Sequence, residues 1–190
     1  MNDLSRYREC RELMDTGDLL RYNTEGLVPV LIRKWSPGAN HAGMVLHLPE
    51  YEGKEHRRWT LEATGGGPRM ACLSELLEEV RGEVWWHPLK PEFNDARNAI
   101  GCFALSKVGV VKYDFESLAK NVFGLVSVDL RRLFCSEYVF VSWRDAGIVS
   151  GTKAPRPSGL PLFGVTLSPV LIVKRKPFIQ VPADFAVVGP

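Results

Sequence analysis

The sequence predicts an α+β fold in a single domain spanning residues 1–190, with a core from about 16 to 175. Three observations carry that reading. Strand-length apolar runs and helix-length amphipathic runs are mixed along the chain, without the regular alternation that builds a doubly wound sheet. Two of the runs, "HAGMVLHL" and "RRWTLEAT", flank a short polar tip and read as an antiparallel pair. The chain has 190 residues, 45% hydrophobic and 24% charged, enough to bury one core without disulfide staples.

A short polar helix is expected from about Leu4 to Met14, ending at "DTGD". "DLLRYN" follows as a strand, and "LVPVLIRKW" as a strand or short helix. "SPGAN" is made of turn residues and reads as a loop. After the "HAGMVLHL" and "RRWTLEAT" pair, "GGGPR" is expected to break the chain. "LSELLEEV" has helical spacing with Ser74 as its candidate N-cap, and "EVWWHPL" is a strand. "PEFNDARNAIGCFALSKVG" predicts a helix stopped by Gly109, and "YDFESLAKNVFG" a helix capped by Asp114. A further helix is expected to begin at Cys135 and end at Gly147. The Pro- and Gly-rich "GTKAPRPSGLPLFG" reads as a long surface loop, and "SPVLIVKRK" as a last strand.

The net charge of +2 and the short, scattered basic clusters "EHRRW", "DLRRL" and "VKRK" do not make a nucleic-acid footprint. No stretch has the apolar length that spans a bilayer, and the first residues lack the apolar core of a signal peptide. A cytoplasmic protein is therefore expected. The four cysteines, Cys10, Cys72, Cys102 and Cys135, are far apart and read as free thiols rather than a disulfide framework. Their spacing also speaks against a structural zinc site, and neither a metal nor another cofactor is expected.

Chemistry concentrates on few residues. A thiol at a helix N-terminus meets free N–H groups and the positive end of the dipole, which lower its pKa. Cys135 is placed to feel both, although a buried cysteine often serves only as a small apolar residue. A nucleophilic cysteine needs a base, and the base an orienting group. Of the four histidines, His56 lies in a charged tip and His87 ends a strand before a proline. His41 and His47 share a face of one strand. His41 opens that strand, and Gly43, two residues on, permits close approach of another segment. Glu62 lies inside the otherwise apolar "WTLEAT", where a carboxylate must find a partner. A hairpin folding near residue 52 brings His41 and Glu62 opposite or nearly opposite each other.

In this order, "TGDLL", "HAGMV", "LEAT", "KYDF" and "FCSEYV" resemble the circularly permuted papain-like hydrolases, and more narrowly the YaeF/YiiX-like amidase branch of the NlpC-type cysteine peptidases. The resemblance covers roughly residues 16 to 148 and has the permuted order of His, polar residue, then Cys. It implies a small strand-rich half carrying His41 and Glu62, packed against the helix of Cys135. It further implies Cys135 as nucleophile, His41 as base and Glu62 as the orienting residue. Tyr113 and Asp114 match a Tyr-Asp pair that the resemblance implies as structural or pocket-lining. With Ser136, beside the nucleophile, they are the expected substrate-binding residues. The chain departs from the pattern in lacking an export signal and in the glycine-rich "GGGPRM" after Glu62.

The function so implied is a thiol hydrolase cleaving an amide or ester in a peptide or lipid-acyl substrate. Trp85, Trp86, Phe134 and Phe163 would suit a lipid, and serve core packing equally well. Two alternatives stand beside it. One is an acyltransferase of the lecithin retinol acyltransferase type, in which His47 takes the third role. The other is a non-catalytic binding module on the same fold.

Overall fold

The computed structural model describes residues 2–25, 38–64, 66–110 and 130–174, with side chains from 135 onward in the last range. The segments "LVPVLIRKW" and "YDFESLAKNVFG" lie outside the described residues. The chain opens with α1 (Ser5–Cys10), which tightens into a 3₁₀ turn over Arg11–Leu13. Strands β1 (Leu19–Thr24), β2 (His41–Leu46), β3 (Trp59–Thr64) and β4 (Gly67–Cys72) follow. Then come α2 (Leu73–Glu79), β5 (Gly82–His87), α3 (Arg97–Leu105), α4 (Leu130–Asp145) and β6 (Val170–Val173). The six strands form one sheet in the order β4-β3-β2-β1-β5-β6, every neighbouring pair antiparallel. The class is α+β, as the irregular mixing of elements predicts.

Alternation along the strands gives the sheet two apolar faces. Leu19, Ala42, Met44, Leu46, Leu61 and Ala63 pack against Ile100 and Ala104 of α3 and Val139, Phe140 and Trp143 of α4. Leu20, Tyr22, Val45, Val84 and Trp86 pack against Tyr7 and Cys10 of α1 and Leu73 and Leu77 of α2. Helices therefore cover both faces of the sheet. Trp85 and Trp86, as consecutive strand residues, point to opposite faces and do not form one apolar surface.

Several elements differ from expectation. "GGGPR" does not break the sheet. Gly67 takes φ 103° to start β4, which pairs with β3 from Trp59↔Cys72 to Thr64↔Gly67. Pro68 is tolerated there because β4 is an edge strand. Ser74 is not an N-cap: α2 begins at Leu73, and the Ser74 hydroxyl lies 3.3 Å from the Cys72 sulfur instead. The "PEFNDA" residues form a 3₁₀ helix ahead of α3, and Pro157–Phe163 form another inside the expected loop. Helix α4 starts at Leu130, not Cys135. The run "LRRL" is made of strong helix formers and carries the helix back, so Cys135 falls in its second turn.

Two buried polar groups pin the layers together. Asp18 is fully buried at the "TGD" corner. Its Oδ2 accepts from Trp86 Nε1 at 2.8 Å and its Oδ1 from Arg97 Nη1 at 2.7 Å and the Leu89 N–H at 2.9 Å. Gly17 beside it has φ 89°, and a Cβ there would lie 2.9 Å from both Ile100 and Leu89. Arg58 is also buried. Its Nε donates to the Met14 carbonyl at 2.7 Å and its Nη1 to Glu52 Oε2 at 2.9 Å, fastening the hairpin tip to the N-terminal segment.

Candidate active site

Strand β2 begins at His41, and its pairing with β3 runs from Leu46↔Trp59 to Gly43↔Glu62. Glu62 is thus opposite Gly43 rather than His41, a difference of two residues from a direct pairing. Because strand side chains alternate with period two, the two-residue offset keeps His41 and Glu62 on one face as diagonal neighbours. The His41 Nε2–H donates to Glu62 Oε2 at 2.6 Å.

Gly43 makes the diagonal contact possible. A Cβ on it would lie 3.1 Å from the Leu61 carbonyl, 3.1 Å from Thr60 Oγ1 and 3.3 Å from the Glu62 Cβ. With no side chain there, Glu62 projects next to an open position and its carboxylate reaches back to the histidine ring. Tyr22, which faces His41 across the β1–β2 ladder, packs on the other flank of the imidazole with ring centroids 5.2 Å apart.

Cys135 comes to this pair from α4. Its sulfur is hydrogen-bonded to the His41 ring and accepts from the backbone N–H groups of Ala42 and Ser136. Since Nε2 is committed to Glu62, Nδ1 is the ring nitrogen left for sulfur. Ala42 lies one step beyond the last β2–β3 rung, so its N–H is directed at the thiol where the ladder ends. With Cys135 in the second turn, the free N–H groups and dipole of a helix start are not what acts on it. His41 and these two N–H groups do so instead.

The electrostatics follow from this contact chain. Burial pushes the Cys135 thiol up, but the charge and hydrogen bond of His41 and the two backbone donors outweigh it, holding the thiol below its ordinary value. Burial pushes the His41 imidazolium down, and Cys135 first and Glu62 second reverse this and raise it well above the usual range. Burial likewise opposes the Glu62 carboxylate, while His41 and Arg69 overcome that and keep it ionised. Cys135 is only 2% exposed and the Glu62 side chain 3%, whereas the His41 side chain is 24% exposed, so the site opens to solvent on the histidine side.

The other sequence-derived candidates divide. Ser136 is fully buried, and its backbone N–H, not a solvent-facing hydroxyl, is what it brings to the sulfur. Tyr113 and Asp114 lie outside the described residues. His47 is engaged elsewhere: its Nε2 meets Glu52 Oε2 at 2.8 Å and its Nδ1 meets Asp15 Oδ1 at 3.3 Å. His87 is buried with neither ring nitrogen hydrogen-bonded, and burial, with Arg21 second, pushes it down to about 4. His56 stands at a left-handed φ of 46° between Glu12 and Glu52. Phe163 packs on Phe140 with centroids 5.4 Å apart. Phe134 is among the residues of α4 without described side chains.

One partner is not visible in the sequence. Arg69, directly across the β3–β4 ladder from Glu62, donates to Glu62 Oε1 through Nε at 2.9 Å and Nη2 at 2.5 Å. The signal that could have found it is a strand reading of "GPRMAC" in antiparallel pairing with "WTLEAT". Two residues past the thiol, Glu137 is buried and its carboxyl is pushed up to about 7 by that burial, with Arg144 opposing.

No protein-family model matches the sequence, and no curated protein matches it. Among solved structures the fold is similar to the crystal structure of metalloprotein yiiX from Escherichia coli O157:H7, DUF1105, with a TM-score of 0.51 at 18% identity. The likeness covers 70% of this chain and 66% of that one, so the chain spans just under two thirds of that protein. At this identity it shows a shared fold. The described residues do not fit a metal centre. Glu62 spends one oxygen on His41 and the other on the Arg69 guanidinium, and no group of three or more His, Cys, Asp or Glu ligands gathers among the described residues. No helix among them is long and apolar enough to cross a membrane.

Proposed function

We propose that this protein is a thiol-dependent hydrolase of the permuted papain-like, NlpC-type class, cleaving an amide or ester bond through an acyl-enzyme on Cys135. The single observation that carries the reading is the unbroken contact chain from the Cys135 sulfur through His41 to Glu62. A binding module has no need of a depressed thiol beside a raised imidazole. The order His, Glu, Cys along the chain and the fold shared with yiiX support the permuted assignment.

In this mechanism the Cys135 thiolate attacks the carbonyl carbon, forming a C–S bond and a tetrahedral oxyanion. Collapse of that intermediate breaks the bond to the amine or alcohol, which takes the proton carried by His41 Nδ1. A water molecule then gives its proton to the neutral ring and attacks the thioester, releasing the acid and restoring the thiolate–imidazolium pair. Glu62 accepts from Nε2–H throughout, fixing ring angle and tautomer.

The test is alkylation by iodoacetamide across pH, with the labelled residue identified by peptide mapping. Cys135 should be modified first near pH 6, ahead of the exposed Cys102, and acyl-type activity probes should label the same residue. Preferential labelling of Cys102 or Cys72 at that pH would refute the assignment.

A further inference from the structure

The carboxylate that orients the histidine is itself held. The two oxygens of Glu62 serve different partners. Its Oε2 accepts from His41 at 2.6 Å, and its Oε1 takes both the Nε and Nη2 donors of Arg69. A two-pronged guanidinium contact fixes the plane of a carboxylate more firmly than a single bond does. Register enforces it, since Glu62 and Arg69 are directly paired across β3 and β4. The Glu62 side chain is 3% exposed and that of Arg69 54%, so the acid is interior and its counter-charge stands at the surface.

We infer that Arg69 is a positioning residue of the site, acting through Glu62, and that Glu62 and Arg69 together serve as one charge-compensated acceptor for His41. This rests on the proposed roles of Cys135, His41 and Glu62. A lone buried carboxylate has two escapes. It can take up a proton and stop supporting the imidazolium, or rotate toward solvent and leave the ring unoriented. Arg69 closes both. The charged and titratable groups that bear on Glu62 are His41 from β2, Arg69 from β4 and the buried Tyr22 from β1, with Cys135 beyond the histidine. Of these only Arg69 is a permanent cation, so only it compensates the carboxylate before the thiol ionises.

The experiment is the pH profile of Cys135 alkylation in five proteins: wild type, Arg69→Gln, Arg69→Lys, Glu62→Gln and the double variant Glu62→Gln/Arg69→Gln, the fourth being the reference for the last. This readout needs no substrate. Arg69→Gln should move the acid limb up by about one pH unit, because the uncompensated Glu62 protonates sooner. It should also lower turnover on any cleaved substrate by roughly ten- to a hundredfold, as loss of a ligand-orienting partner does elsewhere. Arg69→Lys keeps the charge without the fork, so it should restore the limb but not the full rate. In the Glu62→Gln background the Arg69→Gln change should be nearly silent.

An unmoved limb in Arg69→Gln, or an equal loss with and without Glu62, would overturn the inference while leaving the thiol hydrolase intact. If wild-type Cys135 shows no enhanced reactivity near pH 6, the functional reading fails, and the role given to Arg69 falls with it. Thermal melts followed by circular dichroism accompany each variant. Should Arg69→Gln unfold, the Lys variant decides, since a rate no different from wild type would refute the need for the fork.

Discussion

Glu62 lies directly across the β2–β3 ladder from Gly43, and the missing side chain at Gly43 is the space through which the carboxylate turns back to His41. Any Cβ at position 43 meets the Leu61 carbonyl at 3.1 Å, a backbone atom that cannot step aside without moving β3. Gly43→Ala should therefore displace Glu62 by a few tenths of an ångström. We expect a stability loss of about 1 kcal/mol and a fall in Cys135 alkylation rate of about tenfold. Melting curves and alkylation kinetics on the same preparation measure the two. A fully retained rate would show that the close approach does not set the carboxylate.

The three members of the contact chain should differ in how their loss is felt. Glu62→Gln keeps an acceptor oxygen but removes the charge that favours the imidazolium, and should slow turnover by roughly a hundredfold or more and lower thiol reactivity without abolishing it. His41→Ala removes the proposed base and should be more damaging. His47→Ala should be mild, because that ring is bonded to Glu52 and Asp15 six residues along the chain. If His47→Ala proves the more severe of the two third-residue changes, the orienting role passes to it, and the acyltransferase assignment with it.

Glu137 gives the fold a pH signature of its own. Burial raises its carboxyl in the folded state to about 7, above the value in the unfolded chain. The folded state therefore holds the proton more tightly, and the resulting stability is fully present below the unfolded pKa of about 4.3 and lost as pH rises through 7. Glu137→Gln should raise stability at pH 8 by on the order of 1–3 kcal/mol, with little difference from wild type at pH 4. Urea denaturation at the two pH values measures this. An equal effect at both would mean that the charge is not what is buried there.

Asp18 is fully buried and its partner Arg97 half-buried, so their separation would strand a charge. Arg97→Ala should cost about 3–5 kcal/mol, since Asp18 would keep only its neutral donors Trp86 Nε1 and the Leu89 and Asp15 N–H groups. Burial holds the Asp18 carboxyl above its ordinary value in spite of Arg97, so wild type loses stability as pH rises, and Asp18→Asn should be more harmful at low pH than at neutral pH. Thermal unfolding checks both, and a loss confined to surface-pair magnitude would contradict a buried charge at Asp18.

Much of the site can be read from residue spacing. His41 and Glu62 are assignable to one face because a period of two survives a two-residue slip in register, and Gly43 announces a close approach. Three things are not legible, each for a physical reason. The start of α4 is misplaced because the thiol looks like a helix beginning, while the propensity of "LRRL" extends the helix through it. Strand β4 is hidden because glycine and proline read as breakers, although an edge strand accommodates both. Arg69 is hidden with it, since a residue pair across strands has no signature until both strands are recognised.

The Cys135 contact with His41 joins residues 94 positions apart. Until that junction closes, the nascent chain carries a histidine, a glutamate and later a cysteine with ordinary thiol chemistry. The lowered thiol is a product of tertiary assembly, so its appearance marks the placing of β2 and the docking of α4. Fast labelling at Cys135 during refolding would serve as a clock for that last step. A segment carrying His41 and Glu62 alone would be inert until a second segment bearing the cysteine docks on it.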